Sequence, residues 1–242
     1  MNENEKLETG GIAIKKGKFL SWLDNFWYHY KWHSLIAAFL IFAITICTMQ
    51  MCEKESYDMH VLYAGGHSFV RTGEDGDYPE YKKAKNSLKA FISDYDGNDE
   101  VEFSLRDLFI PNEKDMVGMS ESELRLAYND RTTMETAITS GDYYLCFISS
   151  EVYESFFVEG ALTDLSYFVG QGGNVEYYNG SPYAIYLNSI AFSNLGGFSE
   201  LPDDTLIVLK STSGSTHLNK SSNEKQYKRA EETLIKILNY GK

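Results

Sequence analysis

The hydrophobic pattern divides the chain at its first quarter. From Leu35 to Cys52 the run LIAAFLIFAITICTMQMC carries no charge, and only Thr45, Thr48 and Gln50 in it are polar. Eighteen helical residues at about 1.5 Å each cover about 27 Å, close to the hydrocarbon thickness of a bilayer. Extending the run back to Trp32 gives a span with room for tilt. Trp22, Phe26, Trp27, Tyr28, Tyr30 and Trp32 precede it as an interfacial aromatic belt that holds all three Trp of the chain. The pattern predicts a transmembrane helix over residues 32–52, preceded by a tail and interfacial segment over residues 1–31.

Flanking charge predicts its direction. Lys15, Lys16, Lys18 and Lys31 lie upstream, whereas Lys54 stands alone downstream amid Glu53, Glu55 and Asp58. The positive-inside rule puts the N-terminus in the cytoplasm and residues 53–242 outside. The apolar run exceeds the 7–15 residues of a signal-peptide core. The residues before Cys47 and Cys52 are Ile46 and Met51, not the small residue of a lipoprotein processing site. An uncleaved signal-anchor is expected.

Beyond residue 53 the pattern alternates between strand and helix. Met59–Ala64 reads as a strand ending at Gly65-Gly66. Tyr81, Ala84, Leu88, Phe91 and Tyr95 then line one face of a helix ended by Asp96-Gly97-Asn98. Val101, Phe103 and Leu105 alternate as a second strand. Ser120 and Glu123 form a capping box for a helix that reaches a Gly141 cap. Tyr143–Ile148 is apolar throughout, as a strand buried on both faces would be. Ser149 or Ser150 caps a short helix that follows. Tyr183–Leu187 and Thr205–Leu209 read as further strands, and Ser221 with Glu224 opens a last helix through Leu238. Strands separated by helices predict an α/β domain with a mostly parallel sheet flanked by helices. Gly65–Tyr78 and Gln171–Pro182 read as mobile loops.

Composition then removes whole classes of function. The chain carries a net charge of −13, and residues 53–242 hold 17 basic against 31 acidic residues. Nucleic acid is excluded as a partner, because phosphate contacts need clustered Lys and Arg. The single Cys beyond the anchor, Cys146, allows no internal disulfide and reads as a small core residue.

Candidate chemistry is sparse. Open α/β sheets bind ligands outside the carboxyl ends of their strands, which nominates Gly65, Gly66 and His67 after the first strand and Ser149 and Ser150 after the third. The loop after the first strand has no phosphate-binding signature, and helix capping alone accounts for the two serines. Asp94, Asp96, Asn98, Asp99 and Glu100 lack the register of a calcium loop and read as a solvated turn, as do Glu74, Asp75 and Asp77. His60, His67 and His217 are too scattered for a metal site, and His29 and His33 lie among interfacial aromatics. No catalytic set, metal site or cofactor is implied, and STSGST (211–216) reads as a polar hairpin. Aromatics crowd residues 143–186; most are expected in the core, with Tyr177 and Tyr178 the candidates for a binding surface.

The segment GDYYLCFISSEVYESFFVEGALTDLSYF (141–168) resembles part of the bacterial extracellular solute-binding proteins. Gly141-Asp142, the strand, the Glu151–Phe157 helix, Gly160-Ala161-Leu162 and Asp164-Leu165 carry the similarity. PYAIYLNS (182–189), TLIVLKS (205–211) and the 222–240 helix resemble later parts of that family. DNFWYHYKWH (24–33) resembles the membrane-entry segment of small single-pass proteins of Gram-positive bacteria. These similarities imply a periplasmic-binding-protein-like fold, reduced in size, since such proteins have two lobes and residues 53–242 have room for about one and a part. The function expected is therefore a membrane-anchored, non-enzymatic binding domain outside the cell. An envelope protein is the expected partner; capture of a sugar or peptide for a transporter or sensor is the alternative, and an envelope hydrolase with dispersed residues is the third.

Overall fold

A computed structural model describes residues 18–52, 57–70, 78–140, 142–157, 159–169, 175–212 and 220–242. The Gly141 cap, the acidic stretch at 74–77, His217, the run 170–174 and residues 213–216 lie outside them. The chain divides into two compact units, Met1–Glu55 and Ser56–Lys242.

In the first unit, α1 (Lys18–Cys52) is one unbroken helix of 35 residues. Among the described residues it is the helix long and apolar enough to cross a membrane, over the 23 residues Phe26–Thr48. That stretch starts earlier than the expected 32 and takes most of the aromatic collar into the span. Trp27, Trp32, Phe39 and Phe42 are all exposed, so no protein core accounts for them. The hydroxyls of Thr45 and Thr48 donate to Ile41 O and Thr45 O, both at 2.8 Å, which satisfies them within the helix.

The second unit is a three-layer α/β domain. Its strands are β1 (Met59–Gly65), β2 (Phe103–Phe109), β3 (Leu145–Ser149), β4 (Ile185–Tyr186) and β5 (Thr205–Leu209). They form one sheet in the order β2-β1-β3-β5-β4. β1 pairs in parallel with both β2 and β3, while β5 runs antiparallel between β3 and β4. The sheet is thus mixed rather than simply parallel: four strands share a direction and β5 is reversed. Between β4 and β5 the chain makes only short 3-10 turns. A parallel return needs a long crossover, and no helix is there to supply it.

Both faces are covered. Val61, Tyr63, Leu105 and Phe147 point toward α2 (Pro79–Lys89) and α5 (Lys220–Leu238), against Ala84, Leu88, Ala230 and Leu234. Leu62, Ala64, Cys146 and Ile148 point the other way, against Met134 of α3 (Glu121–Ser140) and Val152 of α4 (Ser150–Phe156). Every residue of β3 and β5 is buried, because both strands are central. Phe192 and Phe198, 4.6 Å apart at their centroids, fill the space beside Phe147.

Local signals explain the helix starts. Pro79 opens α2, which ends at Lys89 rather than continuing to Asp96. Ser120 and Glu123 form the expected capping box, Ser120 N donating to the Glu123 carboxylate at 2.9 Å and Glu123 N to Ser120 Oγ at 3.4 Å. α3 continues without a break to Ser140, its threonines back-bonding to carbonyls three or four residues earlier. α5 starts at Lys220, so Ser221 lies inside it rather than before it.

Candidate functional site

The 2-1-3 part of the sheet has its connections on opposite faces, α2 on one and α3 on the other. The carboxyl ends of β1 and β3 are therefore a topological switch point, the usual ligand crevice of an open α/β sheet. Residues nominated from the sequence do meet there. A β-carbon on Gly65 would lie 3.4 Å from Cβ of Ser149 and 2.8 Å from the hydroxyl of Tyr63. The second distance shows why the crevice is not open: the Tyr63 ring already occupies it.

Neighbouring groups complete the filling. Phe69 is fully buried, edge-on to Tyr63 at 5.0 Å and to Phe198 at 6.1 Å. The Ser149 hydroxyl accepts from Val152 N at 3.3 Å and caps α4, while Ser150 donates to Asp204 at 3.0 Å. Both hydroxyls hold bonds that tie α4 to its surroundings, Ser149 to the first turn of the helix and Ser150 to the residue before β5. Gly66 is exposed, with Pro111 as its neighbour.

The loop expected to be mobile is instead latched, as far as it is described. Ser68 Oγ donates to Asp107 Oδ2 at 2.8 Å, and Val70 N donates to the same oxygen at 3.1 Å. His67 Nε2 lies 3.3 Å from Glu80 Oε2 of α2. Asp107 Oδ1 is buried without a hydrogen-bond partner, and burial raises this carboxyl above the ordinary range despite the two bonds to its other oxygen. Burial, and then the charge of Asp107, push the Tyr63 phenol well above its usual value. Tyr63, Glu80 and Asp107 were invisible as a group in the sequence, because β-pairing and helix docking bring them together.

Tyr177 and Tyr178 do not form one surface. Tyr177 packs against the α2/α5 side and bridges to Ile185, whereas Tyr178 is buried on the α3/α4 side. The Tyr178 hydroxyl donates to Glu154 at 2.5 Å, and that bond, with burial behind it, pushes the phenol up to about 12. Tyr153 and Tyr186 pack edge-on to its ring at 5.4 and 5.7 Å. Most of the aromatic surplus is thus core or half-buried; Tyr167, 82% exposed, is the exception.

The acidic turn is exposed from Asp96 to Glu100, as a solvated turn would be, and is tied to the start of β1 through Asp58. Asp58, 1% exposed, joins Asp94 and Asp96, with carboxylate oxygens of the three within 4.8 Å of one another. Their oxygens are already satisfied. Asp58 accepts from Tyr95 N and Glu102 N, Asp94 from Gly97 N and Asp99 N, and Asp96 from the backbone and side chain of Asn98. These bonds, that from Gly97 first, hold the Asp94 carboxyl below its usual value. The cluster is a staple between β1 and the turn before β2. His60 and His67 sit at opposite ends of β1 and share no site; His60 lies between Tyr57 and Tyr143, and burial lowers its pKa.

An open cavity of about 620 Å³ lies away from the carboxyl ends of the strands, between α2 and the run from Glu100 into the start of β2. Tyr81, Lys82, Lys85, Lys89, Val101 and Phe103 line it, together with Glu100 and Glu102. The Lys85 ammonium lies 5.3 Å from the Phe103 ring centroid and 5.9 Å from that of Tyr81. Sequence periodicity showed these lysines flanking a helix face, but not that the face borders a sheet edge. No family model, no curated protein and no solved structure matches this chain.

Proposed function

We propose that this chain is a membrane-anchored, non-enzymatic docking module whose second unit lies outside the cell and engages another envelope protein. The observation that carries this reading is the groove beside β2: it is open, aromatic-lined and cationic, while the crevice at the strand ends is filled by Tyr63, Phe69 and the capping of α4. Small-ligand capture at the strand ends, which the resemblance to solute-binding proteins implies, needs space that those side chains occupy. Aromatic area next to charge suits a protein contact. Lys15, Lys16, Lys18 and Lys31 before the span and the acidic residues after it support the side of the membrane. The exposed apolar surface of Phe26–Thr48 supports the anchor.

Site-specific photocrosslinking in cells making the full chain tests this reading. Photoreactive residues at Asn86, which lines the groove, and at Tyr128 and Tyr167, all three exposed, sample three elements of the second unit. A discrete protein adduct from at least one of them is expected. Absence of any protein adduct from all three overturns the proposal.

A further inference from the structure

β2 is an outermost strand, and only part of its free edge is closed. Glu102 O accepts from Asp58 N, and Ile110 N donates to Gly65 O. The even-numbered peptide groups of this segment therefore face β1, and the odd-numbered ones face outward. Toward the carboxyl end the outer edge is capped: Phe109 N donates to Asp130 at 2.9 Å, and the Tyr81 hydroxyl donates to Leu105 O at 2.9 Å. From Val101 to the N–H of Leu105 nothing among the described residues caps it. Natural sheets blunt exposed edges, because unpaired N–H and C=O groups recruit further strands. Here the blunting stops where the groove begins.

The groove is shaped for what such an edge would recruit. Lys82, Lys85 and Lys89 recur at three- and four-residue spacing, so they share one face of α2 and overhang the strand. On an added strand, alternate side chains point to the same face. Every second residue would meet the lysines, Tyr81 and Phe103; the residues between would lie on the side of Ser104 and Arg106. Three lysines outweigh Glu100 and Glu102 locally, on a unit with a large acidic excess elsewhere.

Resting on the docking reading above, we propose that this edge and groove receive an extended segment of the partner protein, acidic at alternate positions, which adds to β2 as a sixth strand. Main-chain hydrogen bonds to Val101, Phe103 and Leu105 supply register, and the lysines select for charge.

The test uses the full chain in detergent micelles and fluorescein-labelled decapeptides followed by anisotropy. The probes are a Glu-Val alternating peptide, its Lys-Val counterpart, and the Glu-Val peptide N-methylated at alternate amides. The Glu-Val peptide is expected to bind at least tenfold more tightly than either other probe. The double variant Lys85→Glu, Lys89→Glu, with its circular dichroism unchanged, is expected to lose at least tenfold in affinity for it. Equal binding of the Glu and Lys peptides, no binding of the Glu-Val peptide at millimolar concentration, or affinity unmoved by N-methylation or by the double variant overturns the proposal. Crosslinking separates this failure from that of the docking reading: a protein adduct from Tyr128 or Tyr167 but none from Asn86 overturns the groove alone.

Discussion

A β-carbon on Gly197 would lie 2.5 Å from the backbone nitrogen of Ala84 and 2.7 Å from its α-carbon, so the turn at 196–197 touches the spine of α2 directly. Gly197 also has a φ of +87°, and Ser87 donates to the adjacent Gly196 O at 2.9 Å. The turn after Phe192 is thereby clamped to the helix that walls the groove.

Gly197→Ala forces both a left-handed alanine and a clash with main chain that cannot rotate away. The left-handed conformation alone costs about 1–2 kcal/mol, and displacement of the turn adds to it. A loss of roughly 2–4 kcal/mol is expected in thermal unfolding followed by circular dichroism. Gly97→Ala, with φ +76° but open space around it, is expected to cost only the conformational part, about 1–2 kcal/mol.

The two serines after β3 are separable. Ser149→Ala removes the α4 cap and leaves Val152 N without its acceptor, a loss of about 1 kcal/mol. Ser149→Asp, which can cap in the same way, is expected to recover much of it in chemical denaturation. Equal stability of wild type and Ser149→Ala would show that the cap contributes nothing.

Acidity acts through Asp107. Its folded-state pKa is raised by burial, so the stability tied to its protonated form is fully present below the unfolded value of about 4 and is lost as pH rises through the folded value. Asp107→Asn can keep an acceptor oxygen for Ser68 and Val70 without the charge. Wild type is therefore expected to lose stability relative to Asp107→Asn as pH climbs from 3.5 toward neutrality, by urea melts at fixed ionic strength. A constant difference across that range counts against the assignment.

Cys146 is fully buried, and burial pushes its thiol up to about 12, so almost no thiolate exists at pH 8. With Cys47→Ser and Cys52→Ser in place, an aromatic disulfide reagent is expected to stay unreacted with native protein over hours. One equivalent should react at once in denaturant. Rapid native reaction would mean that the central strand opens readily.

How much of this was readable from the chain depends on range. Apolar continuity located β1 and β5 to within a residue, because those strands are buried whatever their neighbours are. Spacing of Ser120 and Glu123 located α3 for an equally local reason. Strand direction was not local: the run from Leu187 to Asp204 holds only 3-10 turns and no α-helix, and no spacing within it announces the reversal of β5. The switch point was found through Gly65 and Ser149. Its filling was not, because Tyr63 points back under Gly65 and Phe69 and Phe198 arrive from segments well over a hundred residues apart. Asp58 meets Glu102 only once β1 and β2 have paired. The groove escaped notice for the same reason, since nothing within residues 101–105 says that β2 is outermost.

Sheet order also constrains when this domain can be completed. β5 lies between β3 and β4 yet is last of the five in the chain. Until residues 205–209 arrive, β3 is itself an edge, with every residue of Leu145–Ser149 apolar or small and none charged. Half a sheet with a sticky border is thus obligatory whenever the chain emerges N-terminus first. Slow delivery of residues 205–242 should therefore cost more folded protein than slow delivery of any earlier stretch.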